Sequence, residues 1–300
     1  MWLYLGIISA FFLGMYDVGR KHALQRNAVL PVLFFSVVCS AVVVIPVIIL
    51  SRVIPDYMLK CGLFIPVESW TAHLHIFNKA VIIAAAWVLS NFALKNLPIS
   101  VASLANAASV VWILAGALIF FHEHITVMQF LGFGVIVASY YCLSIIGNKE
   151  KIVLVNNKWI LFILLATLLG AASAMYDKYL LQTLGYSPLF VQGWFLIYLV
   201  PVVGIIVAVF WLPVRRRHTS FVWRWSIPVI ALLLVFSDIL YFRALSYTGS
   251  LISILSAVRA SYIVVSFLCG GLLFSEFYLA SKAVVLAGVL VGVVLIFLSK

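Results

Sequence analysis

The sequence predicts an all-α membrane protein of ten transmembrane helices arranged as two inverted five-helix repeats. Three observations predict it. The 300-residue chain is 66% hydrophobic and 9% charged, with a mean hydropathy of +1.24; soluble domains run at about 45–50% apolar and about 25% charged. Apolar runs of spanning length recur ten times, split five and five by a polar connector. Finally, Met15-Tyr16-Asp17 in the first run returns as Met175-Tyr176-Asp177 in the sixth. A carboxylate inside an apolar helix costs about 2.5–3.5 kcal/mol on insertion scales, so its recurrence at matching places marks a duplicated unit with a polar site between the copies.

A spanning helix needs roughly 20 apolar residues. Residues 2–22, 29–50, 76–94, 99–121 and 127–146 meet that length and make a first repeat over residues 1–147. A polar connector, 148–158, follows. Residues 159–184, 189–211, 225–245, 251–274 and 279–298 make the second repeat, 159–300. None of these runs alternates as a strand would, and only helices and closed barrels satisfy their backbone in lipid. Five is odd, so the second repeat enters the membrane from the opposite face. Three further pairs recur in the same order: Ala93-Leu94 with Ala244-Leu245, Ser103-Leu104-Ala105-Asn106-Ala107 with Ser256-Ala257-Val258-Arg259-Ala260, and Phe121-His122-Glu123 with Phe274-Ser275-Glu276.

The 19 Lys and Arg against 8 Asp and Glu give +11. In a chain this apolar the excess reads as basic loops beside anionic head groups, with the lipid bilayer as partner and no nucleic acid. Cys39, Cys61, Cys142 and Cys269 show no Cys-x-x-Cys spacing, so neither a disulfide framework nor a zinc knuckle is indicated. His73 and His75, like His122 and His124, stand two apart and do not share a helix face; no metal and no other cofactor is expected. The N-terminal run lacks a basic leader and a small-residue cleavage site, and reads as a retained helix. No Walker A sequence is present, which disfavours an ATP-driven pump.

The polar residues inside the apolar runs are the candidate site: Asp17, Asn91, Asn106, Asp177, Lys178, Asp238, Arg243 and Arg259. Charges at such depth face a bundle interior or a water-filled cavity and often pair. Of the aromatics, Tyr16 and Tyr176 adjoin the repeated aspartates, and Tyr241 and Tyr262 flank Asp238 and Arg259 in their segments. Arg259 is the sharpest candidate, the one charge in the run 251–274, because a guanidinium forks onto carboxylate or phosphate. The plain alternative is that these charges are structural ion pairs, such as Asp177 or Asp238 with Arg259. Gly288 and Gly292 form a GxxxG pattern that suits close helix packing, either as a dimer seam or against Gly132 and Gly134 of the fifth run.

A Gly-rich first helix, Ala-Leu closing the third, a small-residue fourth and a Glu before the fifth together resemble the drug/metabolite transporter superfamily, in its EamA-like ten-helix branch. The resemblance spans nearly the whole chain. It implies a secondary carrier working by alternating access, not an enzyme, in the cytoplasmic membrane. Many members have Glu-Pro in the fourth helix of each repeat; here Asn106-Ala107 and Arg259-Ala260 stand there, so no role of that glutamate carries over. The expected substrate is a small polar metabolite, anionic or zwitterionic, such as an amino acid or phosphorylated metabolite, with a proton or counter-substrate as coupling partner and Asp17, Asp177 and Asp238 as proton carriers. A flippase of a lipid-linked phosphate carrier and an integral membrane enzyme are the alternatives, and the chain is read as monomer or homodimer. Twelve Lys and Arg follow the odd-numbered runs and five lie on the other side. That places both termini outside by the positive-inside rule, whereas the resemblance implies both inside.

Overall fold

The computed structural model describes residues 1–98, 101–102, 109–123, 126–149, 158–215, 220–274 and 279–298. It is 84% helical, with no strand among the described residues. In the first half come α1 (Trp2–Leu24), α2 (Val29–Val53), the short α3 (Pro55–Lys60), α4 (Trp70–Asn96), α5 (Ser109–Phe120) and α6 (Val127–Lys149). The second half has α7 (Lys158–Lys178), α8 (Pro188–Phe210), α9 (Ser226–Leu245), α10 (Ile252–Arg259), α11 (Tyr262–Phe274) and α12 (Leu279–Leu298). Most of the connector 148–158, with Asn106, His124 and Glu276, lies outside the described residues.

Among the described residues, seven stretches are long and apolar enough to cross a membrane, and three shorter apolar helices accompany them. Only 28% of the most apolar window of the Pro188–Val214 stretch is buried inside the bundle. The rest of that helix turns outward, and Ile205, Val209 and Phe210 are exposed. A soluble protein does not present such a face. The solvent of this surface is lipid.

Three elements depart from the expected runs. The third begins at Trp70, six residues before Ile76: the Ser69 hydroxyl accepts from the Ala72 amide at 3.3 Å and caps the helix. The sixth changes pitch after Lys178, where Tyr179–Thr183 form one π turn closed by Leu184 N–H on the Tyr179 carbonyl at 3.0 Å. The ninth, read as one helix over 251–274, is two. Ala260 and Ser261 interrupt it, the Ser261 N–H reaching back to Val258 and the Val264 N–H to Ser261. Arg259 is therefore the last residue of α10 and not a mid-helix residue.

The two halves interleave. α1 packs on α9, and α4 on α7; α4 also meets α8, as α2 meets α9; α1 meets α10 and α11, as α5 meets α7. α2–α8, α5–α10 and α6–α12 complete the bundle. Reciprocal bonds join α1 to α9: Ser9 Oγ donates to the Ser237 carbonyl at 2.8 Å and Ser237 Oγ to the Ser9 carbonyl at 2.9 Å. Gly14 lets α1 lie against the break, since a Cβ there would stand 2.8 Å from the Tyr262 carbonyl. The GxxxG pair is spent within the chain: a Cβ on Gly292 would meet the Gly132 carbonyl at 2.6 Å, and Gly288 faces Ser139. Pro46 and Pro201 lie inside α2 and α8. The chain runs back and forth between two ends of the bundle, named here for Leu24 and Trp2.

Candidate functional site

At the centre of the bundle lies a cavity of about 250 Å³. It is lined by residues of both halves, from α1, α4 and α5 and from α7, α8, α9, α10 and α11. The lining extends toward the Leu24 end, through Arg20, Ser90 and Thr167, and stops toward the Trp2 end at the level of Lys79 and Asp177. Three carboxylates and three cations line it among the described residues: Asp17, Asp177 and Asp238 with Arg20, Lys79 and Arg259.

They are paired. Arg20 Nη2 meets Asp17 Oδ1 at 2.9 Å, one helical turn along α1. Lys79 Nζ of α4 donates to Asp177 Oδ1 of α7. Arg259 Nη2 meets Asp238 Oδ1 at 2.5 Å and Ser237 Oγ at 3.3 Å, joining the end of α10 to α9. All six are buried or nearly so. Aromatic faces complete the desolvated cations: Arg20 lies 5.1 Å from the Tyr16 ring centre and Arg259 4.2 Å from that of Tyr241, while Lys79 sits between Phe195 and Phe242 at 4.6 and 4.4 Å. The pairing is incomplete. The Nε groups of Arg20 and Arg259 and the hydroxyl of Ser173 are buried without a hydrogen-bond partner. A guanidinium held by one edge keeps its remaining donors for a planar anion.

Of the twelve residues singled out by sequence, seven line this cavity: Tyr16, Asp17, Asp177, Asp238, Tyr241, Arg259 and Tyr262. Four lie elsewhere. Asn91 turns its amide to the Trp87 carbonyl at 2.7 Å. Tyr176 bonds His75 Nδ1 at 2.6 Å, beyond the cavity. Lys178 reaches Glu123 at 2.5 Å. The reason is helical: successive residues point about 100° apart, so Asp177 faces the cavity and its two neighbours cannot. Asn106 lies outside the described residues. Arg243 is exposed and caps the Gly62 carbonyl at 2.8 Å. Asp177 takes Lys79 as its ion-pair partner, and not Arg259.

Sequence reading did not single out Lys79, because the third apolar run was started at Ile76 and the lysine sat near its edge, among the basic residues counted on one side of the membrane. With α4 beginning at Trp70, Lys79 falls ten residues in and is 2% exposed. Arg20, Lys21 and Lys95 stand alike in the sequence and differ in space. Arg20 enters the cavity, whereas Lys21 donates to the Leu94 and Leu97 carbonyls at 2.6 and 2.5 Å and Lys95 to the Asn27 carbonyl at 2.9 Å. Those two tie carbonyls at the Leu24 end, where α4 terminates. His73 meets the Tyr198 hydroxyl at 3.0 Å, and no metal-ligand cluster occurs among the described residues.

The family model described as EamA-like transporter family matches residues 1–145. No curated protein matches the chain. A crystal structure described only as that of a protein covers 99% of this chain and 97% of its own, with a TM-score of 0.70 and 12% identity; at that identity the likeness concerns the fold alone. The match over residues 1–145 is consistent with the drug/metabolite transporter superfamily, and a membrane transporter of that type is what it suggests.

Proposed function

We propose that this protein is a secondary carrier of a small zwitterionic or anionic metabolite, such as an amino acid or a phosphorylated metabolite. It works by alternating access across the cytoplasmic membrane. One observation carries the reading: three buried ion pairs converge on a single small cavity between the halves, with guanidinium donors left over. Structural pairs alone have no need to surround a cavity, and each added pair is expensive in lipid. Equal numbers of cations and carboxylates offer both ends of a zwitterion a partner. The volume suits a small solute; drug-sized ligands occupy about 300–1,000 Å³, and a lipid-linked carrier needs more room still.

The ten-helix inverted-repeat reading is supported by the packing. Exchanging each span of one half for its counterpart in the other turns the α1–α9 contact into α7–α4, and α4–α8 into α9–α2, while α2–α8 and α6–α12 map onto themselves. In such a bundle the halves rock about a central site. The break after Arg259 fits, since discontinuous helices place charge and half-helix termini at transporter sites. A proton or counter-substrate is the coupling partner, with Asp17, Asp177 and Asp238 as the carboxylates in reach.

Arg259 gives the test. A panel of amino acids and phosphate monoesters, each at about a hundredfold excess over its Kd, stabilises a folded binder by about 2.7 kcal/mol. At least one member is expected to raise the melting temperature of the purified protein by several degrees. Arg259→Lys, which keeps the charge but loses the fork, is expected to weaken that ligand about tenfold or more. Equal stabilisation of wild type, Arg259→Lys and Arg259→Ala sinks the assignment.

A further inference from the structure

Among the described residues, the one ion pair that does not face the cavity is Lys178 with Glu123, and it sits just beyond the end at which the lining stops. Glu123 follows α5 in an extended stretch after His122, whose φ of +50° turns the chain back so that the Glu123 N–H bonds the Ala117 carbonyl at 3.2 Å. The carboxylate so placed is buried and takes three donors. Lys178 Nζ at the end of α7 lies 2.5 Å from Oε1, the Ile252 N–H lies 3.1 Å from Oε1, and the Ser253 hydroxyl lies 2.6 Å from Oε2. Lys178 also rests 4.6 Å from the Phe121 ring centre. One side chain of the first half thus holds the end of α7 and the start of α10, both in the second half, at the Trp2 end.

The connection to the cavity is covalent. Lys178 follows Asp177, which holds Lys79 inside the cavity, and the helix leaves α geometry at the very next residue, Tyr179. α10 runs from its Glu123-bound start to Arg259, a cavity cation, in eight residues. Both elements gripped by Glu123 therefore carry a cavity charge, Asp177 on one and Arg259 on the other. We propose that Glu123 and Lys178 form the latch that seals the cavity at the Trp2 end. Rearrangement of the Asp177–Lys79 and Asp238–Arg259 pairs around a bound solute strains α7 and α10, and the latch opens. The inference rests on the carrier reading, and it assigns Glu123 and Lys178 as positioning residues that do not touch the solute. The π turn after Lys178 supplies the place where the helix end can shift, as such turns do at functional sites.

Face-specific thiol labelling tests this. Ser173 lines the cavity, and Cys61 is exposed at the Trp2 end, so one chain carries Ser173→Cys alone and a second keeps Cys61 alone to identify that face. An impermeant maleimide is applied to intact cells and to inverted vesicles. In the parent, Ser173→Cys should be shielded from the Cys61 face. Glu123→Gln and Lys178→Met should each raise labelling from that face at least about tenfold, because each removes a charge-assisted contact. Combining them should add little, since either one opens the same latch. Ser253→Ala, which strands no charge, should raise it by a smaller factor and keeps the test decisive if a charge variant misfolds. Unchanged labelling from the Cys61 face in variants that melt near the parent temperature overturns the latch. The two readings fail separately. Counterflow of a panel solute with unmoved labelling sinks the latch alone, whereas a labelling shift in a protein that shows no counterflow leaves the latch and sinks the carrier.

Discussion

Lys79→Met is expected to be the most damaging single substitution in the chain. It removes the cation that Phe195 and Phe242 flank and leaves the buried Asp177 carboxylate at the α4–α7 contact without its partner. Breaking one partner out of a buried pair costs about 3–5 kcal/mol, a large share of the roughly 5–15 kcal/mol that hold a typical fold together. Asp177→Leu should cost a similar amount for the mirror reason. The double variant Lys79→Met with Asp177→Leu separates structure from function, because replacing a whole buried pair by apolar groups of similar volume is often neutral. Its melting temperature is expected to return to within a few degrees of wild type while transport stays absent. If the double variant transports normally, the pair is a structural clasp and has no part in the site.

The second large effect is steric. Gly292→Leu puts a side chain where a Cβ alone already lies 2.6 Å from the Gly132 carbonyl and from Ile136 Cγ1. The nearest atom is backbone and cannot rotate away, so α12 must separate from α6. Overpacking costs about 1–3 kcal/mol where side chains can give, and at least that much here. The expected readout is a lower melting temperature with ligand affinity in the surviving folded fraction unchanged, because no described side chain of α6 or α12 lines the cavity. Gly134→Ala is the control: a Cβ there meets nothing within 4 Å, and its melting temperature should stay near that of wild type.

How much of this was legible in the sequence follows from what a charge does in an apolar run. Asp17, Asp177, Asp238 and Arg259 stood out because each interrupts hydrocarbon at a cost that must be offset, and all four line the cavity. Lys79 did not, since the polar Thr71, His73 and His75 hid the first two turns of α4 and left the lysine at an apparent edge. Tyr176 was drawn in because it adjoins Asp177, and Asn91 and Lys178 because they are polar inside apolar runs; neither signal says to which side a helix turns the residue. The break after Arg259 carried no signal, because Ala260 and Ser261 are both at home in a helix. Glu123 was visible only as half of a repeated Phe-x-Glu ending; that it closes three contacts, to Lys178, Ile252 and Ser253, is a tertiary fact. The GxxxG pattern told that something packs closely on α12, and only the fold told that it is α6.

The central claim is that the cavity carries a solute from one face to the other in a single site. Counterflow into proteoliposomes measures this most directly. Vesicles are loaded with an unlabelled member of a panel of amino acids and phosphate monoesters and diluted into a trace of the same compound carrying radiolabel. A carrier exchanges one for the other, so labelled solute is expected to accumulate transiently above its outside concentration for at least one compound, and the overshoot should vanish in the Lys79→Met, Asp177→Leu double variant. Uptake that ignores the preload for every member of the panel, or an overshoot that survives in the double variant, contradicts the account.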